Sequence, residues 1–226
     1  MATSSIPVIA IDGPSGTGKG TLAFALSRHL GWHLLDSGAL YRIVAVGAEA
    51  QGIDPSQIDE LCNFSRQMDV AFSTLFEGSI TLNGQEISNL VRLEASGAKA
   101  SVVAAIPALR TALMTRQHAF RRAPGLVADG RDMGTVVFPD APLKFFLTAS
   151  AEVRAERRYK QLINKGVDVN LRALLLDIQA RDERDSNRPV APLVPAEDAI
   201  LIDTSRMGAD AVFALVLREV EEAFKT

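Results

Sequence analysis

The 226-residue sequence predicts an α/β fold, a parallel sheet flanked by helices, on three observations. Short apolar runs recur at intervals long enough to hold a helix. The first run ends in a glycine-rich loop that opens directly onto a helix. The segments between later runs carry the charge and apolar periodicity of helices. Strands separated by helices pair in parallel, and such a sheet needs cover on both faces. The length suits one large domain with a small insert, and is too short for two catalytic domains.

Residues 6–11 are continuously apolar, the pattern of a strand buried on both faces. Residues 12–18 form a loop by composition. A helix follows with Leu22, Leu26 and Leu30 at four-residue spacing, and Gly31 ends it. Residues 32–35 read as a second strand, 40–51 as a helix ended by Gly52, and 56–67 as another helix. The texture then changes. Val70–Phe72 and Ile80–Leu82 are β-like and Asn83-Gly84 is a hairpin signal, so residues 69–90 are the β part of a small insert. Residues 91–103 turn helical and rich in Ala and Ser, and Pro107 opens a further helix to about residue 122. Residues 126–129 and 143–147 return to buried-strand texture. Residues 151–164 and 170–187 are long charged helices, and 199–202 are a last strand. Ala209, Val212, Phe213, Val216, Val220 and Phe224 mark a final amphipathic helix.

Hydrophobic residues make up 47% and charged residues 23%, an ordinary balance for a globular chain, so disorder is not the main state. The net charge of −3 lacks the basic excess that coats nucleic acid, so an anionic partner must be held by a local cluster. The single cysteine, Cys62, excludes a disulfide framework and a multi-cysteine zinc site, and reads as a core thiol. His29, His33 and His118 are too scattered for a metal cluster. No apolar run reaches transmembrane length, and residues 1–5 lack the basic start of an export signal. The expectation is a cytoplasmic protein.

The decisive motif is Gly13-Pro14-Ser15-Gly16-Thr17-Gly18-Lys19-Gly20-Thr21. It supplies Gly-x-x-x-x-Gly-Lys, followed by Gly-Thr where Ser or Thr usually comes at once. Glycines let the backbone curl so that successive N–H groups face one anion, and the helix adds its positive end. Lys19 can reach the outer phosphates, and the Thr21 hydroxyl is placed for Mg2+. A bare glycine turn would not need a strand before it and a helix after it. The ligand class is a nucleoside triphosphate with Mg2+, which makes this a P-loop NTPase fold. Switch GTPases, motor ATPases and small-molecule kinases share the loop. A GTPase would need Asn-Lys-x-Asp downstream, and that motif is missing.

Two further clusters fall where a doubly wound sheet binds ligands, beyond the carboxyl ends of strands, and a third lies along a helix. In Asp36-Ser37-Gly38-Ala39-Leu40-Tyr41-Arg42, capping accounts for Asp36 or Ser37 but not for Arg42. Asp129-Gly130-Arg131-Asp132-Met133-Gly134-Thr135 packs three charges between glycines, with Asp129 placed to help hold Mg2+ through a water. On the helix 170–188, the stripe Leu171, Leu174, Leu175, Ile178 continues into Arg181, Asp185 and Arg188. An inward face that turns from apolar to charged points to a ligand cleft. Arg154, Arg157 and Arg158 offer a further positive face, or are ordinary surface arginines. Residues 154–188 hold nine basic against six acidic residues, the make-up of a lid that brings arginines to a transferring phosphoryl group.

Residues 11–21, 35–42, 129–139 and Arg181-Asp182-Glu183-Arg184-Asp185-Ser186-Asn187-Arg188 together resemble the bacterial cytidylate kinases of the nucleoside monophosphate kinase family. The resemblance runs along nearly the whole chain and is weakest over residues 72–86. It implies a five-stranded parallel core (about 1–66, 104–150 and 190–226), an insert that helps hold CMP (about 67–103) and a lid (about 151–189). It implies transfer from ATP to CMP or dCMP, with Mg2+, by a monomer. By the same resemblance Ser37, Arg110 and Asp132 face the cytosine, with Arg188 beside them. Ser101, Arg181 and Asp185 approach the sugar, Arg42 and Arg131 hold the acceptor phosphate, and Arg158 and Arg181 close on the donor phosphates. Lys19, Arg131, Arg158 and Arg181 are then the catalytic set. Other small-molecule kinases, of UMP, shikimate or adenylate type, and a nucleotide-binding switch remain as alternatives.

Overall fold

The computed structural model describes residues 6–224. Residues 1–5, read above as carrying no export signal, lie outside the described residues. Among the described residues, no helix is long and apolar enough to cross a membrane.

β1 (Val8–Asp12) is buried along its length. Successive side chains of a strand point to opposite faces. Val8 and Ala10 therefore join one apolar cluster, and Ile9 and Ile11 the other. The glycine loop follows β1 and leads into α1 (Lys19–Leu30), whose Leu22 and Leu26 cover the Ile9 face. β2 (His33–Asp36) runs into α2 (Ser37–Ala50), where the Asp36 carboxylate accepts the Ala39 N–H at 2.8 Å. This cap starts α2 three residues earlier than its apolar stripe predicts. α3 (Ile58–Gln67) buries Leu61, Cys62 and Phe64, so Cys62 is a core thiol as expected.

The insert carries one more strand than the hairpin signal predicts. β3 (Val70–Phe72), β4 (Ile80–Leu82) and β5 (Gln85–Glu86) form an antiparallel sheet with Asn83-Gly84 at the β4–β5 turn. The helical stretch after it divides into α4 (Ser88–Val91) and α5 (Glu94–Val103), and α6 (Pro107–Ala119) begins at the expected proline. Val70, Ile80, Val91, Ala100 and Val103 share one apolar cluster with Val8, Leu40 and Leu109. The insert therefore rests on the same core as the main sheet.

β6 (Leu126–Gly130) ends in a turn that the sequence reading missed. Val137 and Phe138 donate to carbonyls five residues back, on Asp132 and Met133, at 3.1 and 2.7 Å, which makes Met133–Val137 one wide π-type turn. β7 (Leu143–Thr148) leads to α7 (Ala151–Ile163) and α8 (Leu171–Ser186), which pack together. β8 (Ile200–Asp203) and α9 (Ala209–Phe224) close the chain. The main sheet is parallel throughout, in the order β2-β6-β1-β7-β8. α1 and α9 cover one face. α2, α3 and α6 cover the other.

Leu40 is fully buried between α2 and the sheet, whereas Leu201 on the edge strand β8 is 65% exposed. Leu40→Ala should lower the unfolding free energy by about 2–5 kcal/mol, the usual range for a buried leucine. Leu201→Ala should stay within about 0.5 kcal/mol of wild type. Urea denaturation of the two variants checks the pair.

Candidate active site

The site is built on the carboxyl ends of β1, β2 and β6. Register aligns Asp36 and Ile11 with Asp129, and Asp12 with Gly130. Three carboxylates thus reach one edge of the sheet, beside the phosphate loop. Gly13 opens that loop at φ +144°, and a Cβ there would overlap the Leu147 carbonyl of β7. Only glycine allows the loop to lie this close to the sheet. Lys19 is buried and donates from Nζ to the Pro14 carbonyl at 3.2 Å, while its ammonium lies 3.8 Å from Asp129 Oδ1.

The Gly-Lys-Gly-Thr ending has a spatial cause. A Cβ at Gly20 would lie 3.2 Å from Asp129 Oδ2, so glycine there lets the carboxylate approach α1. Burial raises the Asp129 carboxyl above its usual range, against the opposing pull of Lys19. Burial, then the Arg131 charge, lowers the Lys19 ammonium. Asp129 Oδ1 is buried with no hydrogen-bond partner among the described residues. The Thr21 hydroxyl donates to Glu77 Oε1 at 3.0 Å, so the insert reaches the first turn of α1.

Beside the loop lies a cavity of about 40 Å³. Its lining brings together Ser37, Ser101, Arg110, Arg131, Asp132, Arg181, Asp185 and Arg188, from α2, the insert, α6, the segment after β6 and the lid. Most of these charges are paired. Arg110 pairs with Asp132, and its guanidinium lies 5.7 Å from the centre of the Tyr41 ring. Arg131 Nε donates to Asp185 Oδ2 at 3.1 Å, with Arg181 Nε 4.0 Å from the same oxygen. Burial opposes the Asp185 charge, but Arg131, Arg181 and Arg188 together hold its carboxyl below the usual range. Asp132 shifts upward, because burial outweighs Arg110 and Arg188. Burial likewise pushes the Tyr41 hydroxyl up to about 12. Two cavity atoms, Ser101 Oγ and Arg188 Nη2, are buried without a hydrogen-bond partner among the described residues.

The inward face of α8 behaves as its spacing predicts. Leu174, Asp185 and Arg188 are buried, and Leu175, Ile178 and Arg181 are half-buried. Leu171, 41% exposed at the helix start, departs from the stripe. Arg181 Nη1 donates to Ser15 Oγ at 3.4 Å, so one side chain reaches both the phosphate loop and the cavity. Arg42 stands outside the cavity lining. It donates to the Val91 carbonyl at 3.0 Å. Gly97 on α5 gives it room, since a Cβ there would lie 3.2 Å from Arg42 and 3.4 Å from Arg181. Arg158 donates to Gln161 Oε1 at 3.1 Å and also stands outside the cavity.

Arg154 and Arg157 do not present a positive face to a ligand. Arg154 is buried, with Nη1 donating to the Ser15 carbonyl at 3.1 Å and to Asp182 Oδ1 at 3.0 Å. It ties both lid helices to the phosphate loop. Arg157 Nη1 donates to Thr204 Oγ1 at 3.1 Å.

Asp12, Tyr41, Glu77, Gly97 and Gln117 had no role in the sequence reading. Asp12 accepts the N–H groups of Met133 and Gly134, both at 2.8 Å, and so anchors the turn that carries Arg131 and Asp132. Gln117 accepts the Ser37 hydroxyl at 3.0 Å from behind the cavity. Two of these carried a local signal. Asp12 ends an apolar run, and Gly97 interrupts a helical pattern, where an isolated glycine usually has a packing reason.

Residues 9–222 match the cytidylate kinase family. The chain is 58% identical over 221 residues to a cytidylate kinase of Pseudomonas aeruginosa, covering 96% of each chain. It is 56% identical over 220 residues to one from Stutzerimonas stutzeri, again covering 96% of each.

Burial pushes the Asp12 carboxyl up to about 6, against its two N–H bonds. A carboxyl raised on folding contributes stability that is fully present below its unfolded value near 4. That stability is lost as pH rises through about 6. Asp12→Asn lacks this pH dependence. Between pH 4 and 7, wild type should lose on the order of 2–3 kcal/mol relative to the variant, since each tenfold change in proton affinity is worth about 1.4 kcal/mol. Paired denaturation curves at the two pH values check it, and a constant difference would remove Asp12 as the source.

Proposed function

The chain belongs to the cytidylate kinase family, and from that premise we propose how its site carries out the ATP-dependent phosphorylation of CMP and dCMP to CDP and dCDP. One observation carries the reading: Arg181 joins a phosphate loop to a separate polar cavity. A switch or motor needs the loop alone. A kinase with a small acceptor needs both, side by side.

The loop from Gly13 through Pro14, Ser15, Gly16, Thr17 and Gly18 to Lys19, Gly20 and Thr21 takes the ATP phosphates. Ser37, Arg110 and Asp132, with Arg188 beside them, take the cytosine. Ser101, Arg181 and Asp185 take the sugar, and Arg42 and Arg131 take the acceptor phosphate. The unpartnered Ser101 Oγ and Arg188 Nη2 support this, since buried polar atoms are ordinarily hydrogen-bonded and a nucleotide supplies partners. An oxygen of the CMP phosphate attacks the γ-phosphorus, and the bond to the β–γ bridging oxygen breaks as ADP leaves. The acceptor is already an anion and needs no general base. What the transfer needs is alignment, and positive charge around the equatorial oxygens. Lys19, Arg131, Arg158 and Arg181 supply that charge.

The residues present fit a magnesium ion. Asp129 Oδ1 is a buried acceptor with no hydrogen-bond partner among the described residues, suited to a metal-bound water. Thr21 would be the direct ligand, once its hydroxyl oxygen is turned from its place beside Glu77. Bound there, the ion would neutralise charge on the β- and γ-phosphates.

A cavity of about 40 Å³ holds a few waters at most, so the insert (67–103) and the lid (151–189) part to admit CMP and close to exclude water. We take the enzyme to act as a monomer, as the resemblance to the bacterial cytidylate kinases implies. We place the enzyme in the cytoplasm.

A coupled assay with ATP and CMP, dCMP, UMP, AMP or shikimate tests the function. CMP and dCMP should give the highest kcat/KM, and a preference for another acceptor would overturn the reading. Lys19→Met should lower kcat by on the order of 10²–10³, the loss expected for one transition-state donor, with little change in Tm. Wild-type turnover in that variant would exclude the role given to Lys19.

A further inference from the structure

Behind the cavity, Gln117 on α6 is 1% exposed and is not part of the cavity lining. Its partner Ser37 does line the cavity, as the first residue of α2. A serine inside a helix commonly gives its proton to the carbonyl four residues back. For Ser37 that residue is His33, which lies in β2 and outside the helix. The proton goes instead to Gln117 Oε1, 3.0 Å away in a buried bond. A hydroxyl has one proton and two lone pairs. With the proton committed to Gln117, Ser37 offers the cavity lone pairs only.

We propose that Gln117 is a specificity-determining positioning residue, which takes the Ser37 proton and so makes that hydroxyl an acceptor for the exocyclic amino group of cytosine. Uracil carries a carbonyl at the same ring position. It would meet Ser37 lone pair against lone pair, with no proton free to turn toward it. Asp132 faces the same cavity as a second acceptor, held by Arg110. The device rests on the cytidylate reading and deepens it. Discrimination would come from a side chain that never touches the base.

The test measures the CMP-to-UMP ratio of kcat/KM in Gln117→Met, Gln117→Leu, Ser37→Ala and Ser37→Ala/Gln117→Met, with Tm recorded for each. Loss of the Gln117 acceptor frees the Ser37 proton to donate to uracil. The ratio should fall about tenfold in the single Gln117 variants, within the range of one base-reading contact. The change should appear mainly in KM. In the Ser37→Ala background the same substitution should move the ratio by less than about twofold, because no hydroxyl remains to be turned. An unmoved ratio in a folded Gln117 variant would overturn the proposal. So would an equal fall in the Ser37→Ala background, which would assign the effect to packing. A wild type that prefers CMP while the variants keep its ratio refutes this device alone. A wild type without CMP activity refutes the cytidylate reading as well.

Discussion

Charge buried at the carboxyl edge of the sheet must be matched by opposite charge, and this requirement holds the segments around the cavity in place. Each match joins parts of the chain that are distant in sequence. Arg110 of α6 meets Asp132 after β6, Arg131 meets Asp185 of the lid, and Arg154 of α7 meets Asp182 of α8. Taking one partner away leaves a charge in low dielectric, and that commonly costs about 3–5 kcal/mol. The lid and the segment after β6 are thus positioned by electrostatics as much as by apolar contact. Only Leu174 and Asp185 are buried along the whole of α8.

Hydrogen bonding, unlike charge pairing, is left incomplete at several buried atoms. Ser101 Oγ, Arg188 Nη2 and Asp129 Oδ1 are buried and lack hydrogen-bond partners among the described residues. All three lie at the cavity or beside the phosphate loop. A protein built for stability alone would pair them or replace them with apolar groups. Their unmet hydrogen-bonding capacity is the feature on which the proposed nucleotide site rests. Burial raises the Asp12 and Asp129 carboxyls above their usual range as well.

Backbone geometry turns these charges into a site. Asp12 reaches across to the N–H groups of Met133 and Gly134, which fixes the wide turn after β6 against the end of β1. Arg131 and Asp132 sit just before that turn, and their direction depends on it. Gly20 and Gly97 act by absence of a side chain. One lets Asp129 lie against α1, and the other lets Arg42 and Arg181 lie against α5. The insert and the lid therefore meet across the cavity with arginines between them.

Local pattern along the chain was enough to lay out the main sheet. Five apolar runs became the five strands of the main sheet, and the α8 stripe correctly placed Arg181, Asp185 and Arg188 on the inward face. The phosphate loop was legible because its chemistry is contiguous: strand, glycines, lysine and helix lie within a few residues. Periodicity and composition are local signals, and they report whatever local sterics decide. Contacts between distant segments could be known only from the folded chain. Asp12 and Gly134 are 122 residues apart, and Ser37 and Gln117 are 80 apart. Arg154, read as part of a positive face or as an ordinary surface charge, is a buried brace, because its partners Asp182 and Ser15 come from other elements. The wide turn at Met133–Val137 has no signature of its own either, since a carboxylate on a different strand holds it open. Spacing along the chain tells which face a side chain takes. Which partner waits on that face is set only when the strands are brought side by side.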